Sequence, residues 1–406
     1  MRKNSRLLIF IFLSVIFNFA SLTDSYARVY IDITSPAIRK LPLSISVTGP
    51  VEAKEIEGTV KNDLEFTGIF SFVDQDVPGA EVTAHLEVSV SDEVTVLWSV
   101  TDLIENKEVF RKKYSSSPKS VRAIAHSISN DIYNIITGKD GIFRTKISCL
   151  IHSGAGSRGL YLMDWDGFNP IKIVSAGLTS SHTWSDDGRF LIYSSERNRQ
   201  WSIYRFDLED FGETPLYSSP GLNLAGSVSR NTVAFSSSRD GSAEIYIMDT
   251  DGRNVKKLTK SFGIDISPVF SPDGAKIAFV SDRGGTPQIY IMDPDGSNAR
   301  RITFEGSYNT SPAWSPDGNW LAFVGRKDGK NQVFMIKFDA TGLRQLTFAG
   351  NNESPSFSPD GMFLAFDSDR DGQTGIFVIR INGEEARRIT PKNTRATSPR
   401  WSPDIK

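Results

Sequence analysis

Two hydrophobic rhythms divide this chain of 406 residues. Up to about residue 138, apolar positions recur at helical spacing in two places and alternate elsewhere. In "AKEIEGTVKNDLEFTG" the stripe Ile56, Val60 and Leu64 predicts a helix that Gly68 ends. In "SPKSVRAIAHSISNDIYNIITG" residues Val121, Ile124, Ile128, Ile132 and Ile135 share one face, with Ser117 or Ser120 placed to cap it and Gly138 to stop it. Between and before these helices lie "LSISV", "FSFVD", "TAHLEVSVS", "EVTVLWSVTD" and "KEVFRKKYS", which read as strands of a mixed sheet. The expectation for residues 28–138 is a small α/β domain.

From Phe143 onward the helical rhythm is gone and a long repeat replaces it. "YLMDWDG" at Tyr161 returns as "YRFDLED" at Tyr204, "YIMDTDG" at Tyr246, "YIMDPDG" at Tyr290, "FMIKFDA" at Phe334 and "FVIRING" at Phe377. The period is about 43 residues, within the range that marks repeat architectures. Inside each unit, four short apolar or alternating runs are parted by turn clusters. In "SPAWSPDGNW" (Ser311–Trp320), Pro316 presets φ for a turn and Asp317-Gly318 completes it. Four short antiparallel strands repeated six times describe the blades of a β-propeller over residues 139–406; a linear solenoid is the competing arrangement.

The two ends of the repeat decide between them. The first unit opens late, at "RTKISCLIHS", without a strand of the SPxW type, whereas an unaccompanied "SPRWSPD" stands at Ser398–Asp404. Brought together they make one complete blade, leaving no free sheet edge at the junction. The fold expected is therefore an N-terminal α/β domain followed by a six-bladed β-propeller closed by the C-terminal strand. One bulky residue per unit, Trp184, Val228, Phe270, Trp314, Phe357 or Trp401, is expected to fill the space between neighbouring blades.

The first residues stand apart from both rhythms. "MRKNSR" precedes the apolar run Leu7–Ala20, and Ser25-Tyr26-Ala27 offers small residues at the two positions a signal peptidase reads. The run is short for a bilayer core of roughly 30 Å, so residues 1–27 read as a secretion signal cleaved after Ala27. The mature chain would be exported without membrane insertion. Cys149 is the single cysteine, so no intramolecular disulfide is available to brace it. Lys and Arg number 46 against 48 Asp and Glu, for a net charge of −2 without a long basic run. That balance argues against a nucleic-acid-binding surface.

Candidate chemistry is sparse. There is no G-x-S-x-G nucleophile elbow, and His85, His126, His152 and His182 show no metal-ligand spacing. The acidic pairs Asp164/Asp166, Asp249/Asp251 and Asp293/Asp295 sit where hairpin turns need them and lack the full calcium-loop pattern. No catalytic residue, metal or cofactor is expected. A propeller-type hydrolase and a glycan-binding propeller remain as alternatives, Trp201 and Tyr308 being the aromatic hints for the second.

Surface is what remains. The residues just before each anchor lead into the innermost strands around the channel mouth: Thr179-Ser180, Asn223-Leu224, Asp265-Ile266, Asn309-Thr310, Asn352-Glu353 and Ala396-Thr397. Polar or small, with Leu224 and Ile266 interspersed, they suit gripping a protein segment. The mature N-terminus "RVYIDITSPAIRKLP" alternates Val29, Ile31 and Ile33. It reads either as the first strand of the α/β domain or as a segment that pairs with an exposed strand edge.

Taken together, "RVYIDIT", "EIEGTVKNDLEFTGIF", "ITGKDGIFRTKI" at the junction and six units ending in "SPRWSPD" resemble the TolB family across essentially the whole chain. These are periplasmic components of the Tol–Pal cell-envelope system of Gram-negative bacteria. The resemblance implies a non-enzymatic, monomeric periplasmic adaptor that supports outer-membrane invagination during division and envelope integrity. It implies binding of the lipoprotein Pal at the channel face, by Asn223, Leu224, Ala225, Asp265, Ile266 and Ser267 centrally, with Thr179, Asn309, Thr310, Asn352, Glu353 and Thr397 around them. It further implies binding of TolA, and through it TolQ and TolR, by a mature N-terminal segment that begins Arg28, Val29, Tyr30, Ile31, Asp32 and Ile33. Two departures stand out. The stretch between Phe72 and Val90 is too short for a helix expected there, and the second anchor, in "AGSVSRN", lacks its SPDG turn.

Overall fold

The computed structural model describes residues 39–74, 77–154, 158–383 and 386–404. The expected signal (1–27) and the expected TolA segment from Arg28 to Ile38 lie outside the described residues.

Chain order in the first unit is β1 (Leu41–Thr48), α1 (Val51–Phe66), β2 (Phe70–Phe72), β3 (Val82–Val90), β4 (Val94–Asp102), β5 (Lys107–Ser116) and α2 (Val121–Thr137). The strands form one mixed sheet in the order β2-β1-β3-β4-β5, with β1 parallel to both its neighbours and the other two pairings antiparallel. Alternation along β4 buries Val94, Val96, Trp98 and Val100 under the helices. The helical stripe meets them with Ile56, Val60, Leu64, Ile124, Ile128 and Ile132. Gly138 takes a left-handed conformation (φ 71°) and returns its N–H to the Asn134 carbonyl, which stops α2 as expected. Ser120 stands at the N-cap without a side-chain bond, because the 3₁₀ turn Pro118–Ser120 opens the helix instead. Among the described residues no helix separates β2 from β3, and no helix is long and apolar enough to cross a membrane.

Six four-stranded antiparallel sheets follow among the described residues. The innermost strands of blades 2 to 6 are Leu178–Trp184, Asn223–Ser229, Asp265–Phe270, Asn309–Trp314 and Asn352–Phe357. Blade 1 takes its innermost strand from Ala396–Trp401, which pairs antiparallel with Lys146–His152. Thus the ring is closed from both ends of the repeat. Locally, the Ser-Pro-Asp-Gly phrase is a self-contained turn. Ser271 Oγ donates to Asp273 Oδ1 at 2.6 Å and accepts the Lys276 N–H, while Gly274 supplies the positive φ. In blade 3 that turn shrinks to Arg230, whose N–H reaches Asp186 of the preceding blade at 2.6 Å.

The anchors do pack between blades. Trp184, Val228, Phe270, Trp314, Phe357 and Trp401 are all buried, and the tryptophans add bonds across the seams. Trp184 Nε1 donates to the Arg400 carbonyl and Trp314 Nε1 to the Val269 carbonyl, while within blade 1 Trp401 Nε1 donates to Thr145 Oγ1 and so ties the two chain ends together. The core does not stop at the first unit either. Phe66 at the end of α1 stacks on Phe363 of blade 6 and tilts against Trp165 of blade 1, with ring centroids 5.0 and 4.7 Å apart. The helical layer therefore straddles the seam where the ring is closed.

Candidate functional site

The six innermost strands surround a channel. Towards the anchor end, one residue from every blade lines a cavity of about 460 Å³: Thr183, Ser227, Val269, Ala313, Ser356 and Arg400. The other end is the mouth where sequence placed the partner-gripping residues. The structure corrects that placement. Asn223, Asp265, Asn309 and Asn352 are not loop residues but the first residues of their strands, and they are buried with Thr179. Their side chains are committed to the blades. Asn223 Nδ2 donates to the Trp201 and Ser219 carbonyls, Asp265 accepts from Arg283, and Asn309 and Asn352 donate to Gln288 and Gln332. Strand alternation turns the next residue of each pair to the opposite face of its strand: Leu224, Ile266, Thr310, Glu353 and Thr397 are all half-buried. Ala225 is buried, and Ser267 lies half-buried in a bulge with φ 56°.

Charge in the channel is concentrated at the closing seam. Asp367 of blade 6 is buried and accepts the Ser398 N–H at 2.9 Å. Serines do the same work elsewhere, Ser194 for Ala225 and Ser236 for Ser267. Burial raises the Asp367 and Glu353 carboxyls above their ordinary values, and lowers Arg400. Arg400 in turn pulls Asp367 back down.

His182 stands in blade 2 where blades 4, 5 and 6 have Pro268, Pro312 and Pro355. It is buried, neither ring nitrogen has a hydrogen-bond partner, and burial together with Arg400 lowers its pKa to about 3. Below about pH 6.5 the unfolded chain takes up a proton there that the folded ring refuses. Stability is then expected to fall by up to about 1.4 kcal/mol per pH unit as pH drops from 6.5 towards 3. Urea titrations from pH 7.5 to 4.5 should show this component of the slope, and His182→Leu should remove it; an unchanged slope in the variant refutes the assignment.

Residues 133–346 and 308–406 match the family model described as the TolB β-propeller domain. The chain belongs to the TolB β-propeller family. Among curated relatives it is 32% identical to a TolB homologue of Chlorobium chlorochromatii over 254 residues, 57% of each chain. It is also 32% identical to the Tol–Pal system protein TolB of Desulfosudis oleivorans over 268 residues, 58% of this chain and 61% of that one. These matches span well under two thirds of the relatives' own length. The crystal structure of TolB from Acinetobacter baumannii superposes with a TM-score of 0.82 at 26% identity, covering 90% of this chain and 97% of that one.

This TolB-family chain also holds a polar cluster that its sequence did not disclose. Asp63 of α1, His126 of α2 and Asp166 of a blade 1 hairpin bring their ligand-type atoms within 4.8 Å of one another. His126 Nδ1 lies 2.7 Å from Asp63 Oδ2, while Arg122 donates to Asp166 Oδ2 at 2.6 Å and lies 3.5 Å from His126 Nε2. Arg122 is thus the cation these carboxylates already face, and the group ties the helices to the ring. Asp166 was expected as a turn residue; it does bond the Phe168 N–H, but its second oxygen serves this junction. No spacing rule finds such a group, because its members come from three separate elements.

Proposed function

We propose that this chain is a non-enzymatic periplasmic adaptor of the Tol–Pal system that binds Pal at the channel mouth and TolA through residues 28–38. On this reading residues 1–27 are a signal removed after Ala27, residues 28–138 carry the TolA-binding segment and the α/β unit, and residues 139–406 form the Pal-binding ring. Through TolA the adaptor would be linked to TolQ and TolR, and so to outer-membrane invagination during division and to envelope integrity. TolB-family membership, together with a mouth whose half-buried positions mix apolar Leu224 and Ile266 with polar Thr310 and Thr397, is what supports it. The described residues offer no nucleophile elbow for the hydrolase alternative. Trp201 and Tyr308 are both half-buried, and Tyr308 is covered by the Arg326 guanidinium at 4.7 Å, so neither presents the open face a glycan would stack on.

The test is direct. Purified residues 28–406 should capture the periplasmic domain of Pal from the same organism, and deleting residues 28–38 should abolish TolA binding while sparing Pal. Failure of the undeleted chain to capture Pal sinks the reading.

A further inference from the structure

The mouth is not equivalent around its circumference. In three junctions a threonine ends the outer edge of one blade and is pinned inward. Thr259, Thr303 and Thr347 each accept an N–H of the third strand, of Ile245, Ile289 and Val333, and donate to Glu244, Gln288 and Gln332. With the threonine fixed, the residue after it is turned out to solvent. At the first junction that residue is Lys260, and the loop's aromatic, the fully exposed Phe262, follows two positions later. At the next two it is Phe304 and Phe348, which are 69% and 75% exposed. The Arg301 guanidinium lies over the Phe304 ring at 5.3 Å, yet both rings remain largely exposed, and exposed apolar surface of this kind marks an interaction site.

A second irregularity falls in the same sector. Five blades carry an arginine at or just beyond the end of the second strand, on this same rim. Arg197, Arg239 and Arg283 are each paired with a carboxylate, Glu213, Asp240 and Asp265. Arg326 and Arg370 have no carboxylate within ion-pair distance among the described residues. The cause is legible in the repeat. Blade 4 opens its inner strand with Asp265, whereas blades 5 and 6 open theirs with Asn309 and Asn352, so Arg370 donates to neutral acceptors, Asn352 Oδ1 at 2.9 Å and Ser368 Oγ at 3.1 Å. Each arginine sits beside one of the phenylalanine loops. The Arg326 N–H donates to the Tyr308 carbonyl at 3.1 Å, and Gly350 lies so close to Arg370 that a Cβ on it would come within 2.8 Å of the Arg370 backbone.

We infer that Phe304, Phe348, Arg326 and Arg370 form the anchoring patch of the mouth, and that the surface seated there presents carboxylates flanking an apolar pocket. This rests on the reading that the mouth is the Pal-binding face, and it adds which sector carries the affinity and what chemistry the partner must offer. Uncompensated guanidiniums favour carboxylates geometrically as well as by charge. Two aromatic side chains beside them fit the residue types that dominate interface energetics. Two arginines without an ion pair beside two exposed aromatics favour a partner with placed carboxylates and an apolar contact, which a folded protein surface supplies.

Calorimetric titration of residues 28–406 with the periplasmic domain of the organism's Pal tests this. Phe304→Ala and Phe348→Ala are each expected to weaken binding roughly tenfold or more, and Arg370→Gln to weaken it and flatten its salt dependence. Phe211→Ala, at another exposed phenylalanine outside the patch, serves as the control and should bind as the parent does. Phe304, Phe348 and Phe211 are exposed, while Arg370 is half-buried over Phe366 and Phe377, so circular dichroism and a thermal melt of each variant check that the fold is kept. Parental binding with all rim variants within twofold of it overturns the patch and leaves the adaptor reading standing. No binding by the parent overturns both. Sedimentation with vesicles of phosphatidylethanolamine and phosphatidylglycerol is the remaining arm: vesicle binding that is lost in the two Phe variants while their Pal affinity is unchanged assigns the patch to lipid and overturns the proposal.

Discussion

Trp401→Ala is expected to lower unfolding stability by about 4 kcal/mol, the upper range for truncating a buried aromatic. The side chain is 6% exposed, and it belongs to the same buried cluster as blade 1, blade 6 and the helical layer. Its Nε1 bond to Thr145 is lost with it, as is the seal of the strand that completes blade 1. The effect should exceed that of the corresponding change at Val228, where a smaller anchor fills the seam. Guanidinium denaturation followed by tryptophan fluorescence, read alongside far-UV circular dichroism, would measure it. A loss under about 1 kcal/mol would show that closure does not depend on this residue.

The second large effect is expected at the junction between the helices and the ring. His126→Ala leaves the fully buried Asp63 without the imidazole 2.7 Å from its Oδ2. Removing one member of a buried charged pair typically costs about 3–5 kcal/mol. The pH dependence carries the signature. Burial raises the Asp63 carboxyl above its ordinary value, with His126 opposing that rise. Without His126 the folded state holds a proton that the unfolded chain releases near pH 4, so the variant's stability falls as pH increases through that interval. The deficit should therefore shrink in acid, and Asp63→Asn should recover part of it at neutral pH. A deficit independent of pH would assign the loss to packing alone.

What could be read from sequence followed from locality. The Ser-Pro-Asp-Gly turn closes within six residues on its own side chains, so its recurrence at Ser271, Ser315 and Ser358 displayed the blades directly. The unaccompanied strand at Ser398 was legible for the same reason, since counting repeats does not require knowing their packing. The orientation of the mouth residues was not. Ser267, Ser311, Ser354 and Ser398 all have φ of 54–56°, and each marks an extra residue in the innermost strand. A bulge of one residue reverses which side chains face the channel, and nothing in composition signals where it falls. Hence Asn223, Asp265, Asn309 and Asn352 looked like polar loop positions although they are buried braces. Asp63, His126 and Asp166 were hidden differently, through long-range proximity that no local motif encodes.

The seam through blade 1 bears on how the molecule is made. Lys146 and Ser402 are hydrogen bonded across 256 positions of chain. Synthesis delivers the first unit and blades 2 to 6 while Lys146–His152, already paired with Arg158–Asp164, still lacks its inner neighbour. Bringing distant segments together is slow because loop closure must precede any stabilising contact. Until the last strand arrives, each molecule carries an unpaired sheet edge beside the aromatic cluster of Phe66, Trp165 and Phe363. The same contacts that make the finished ring durable thus define its most vulnerable moment, when a protease or a second unfinished chain finds that edge first.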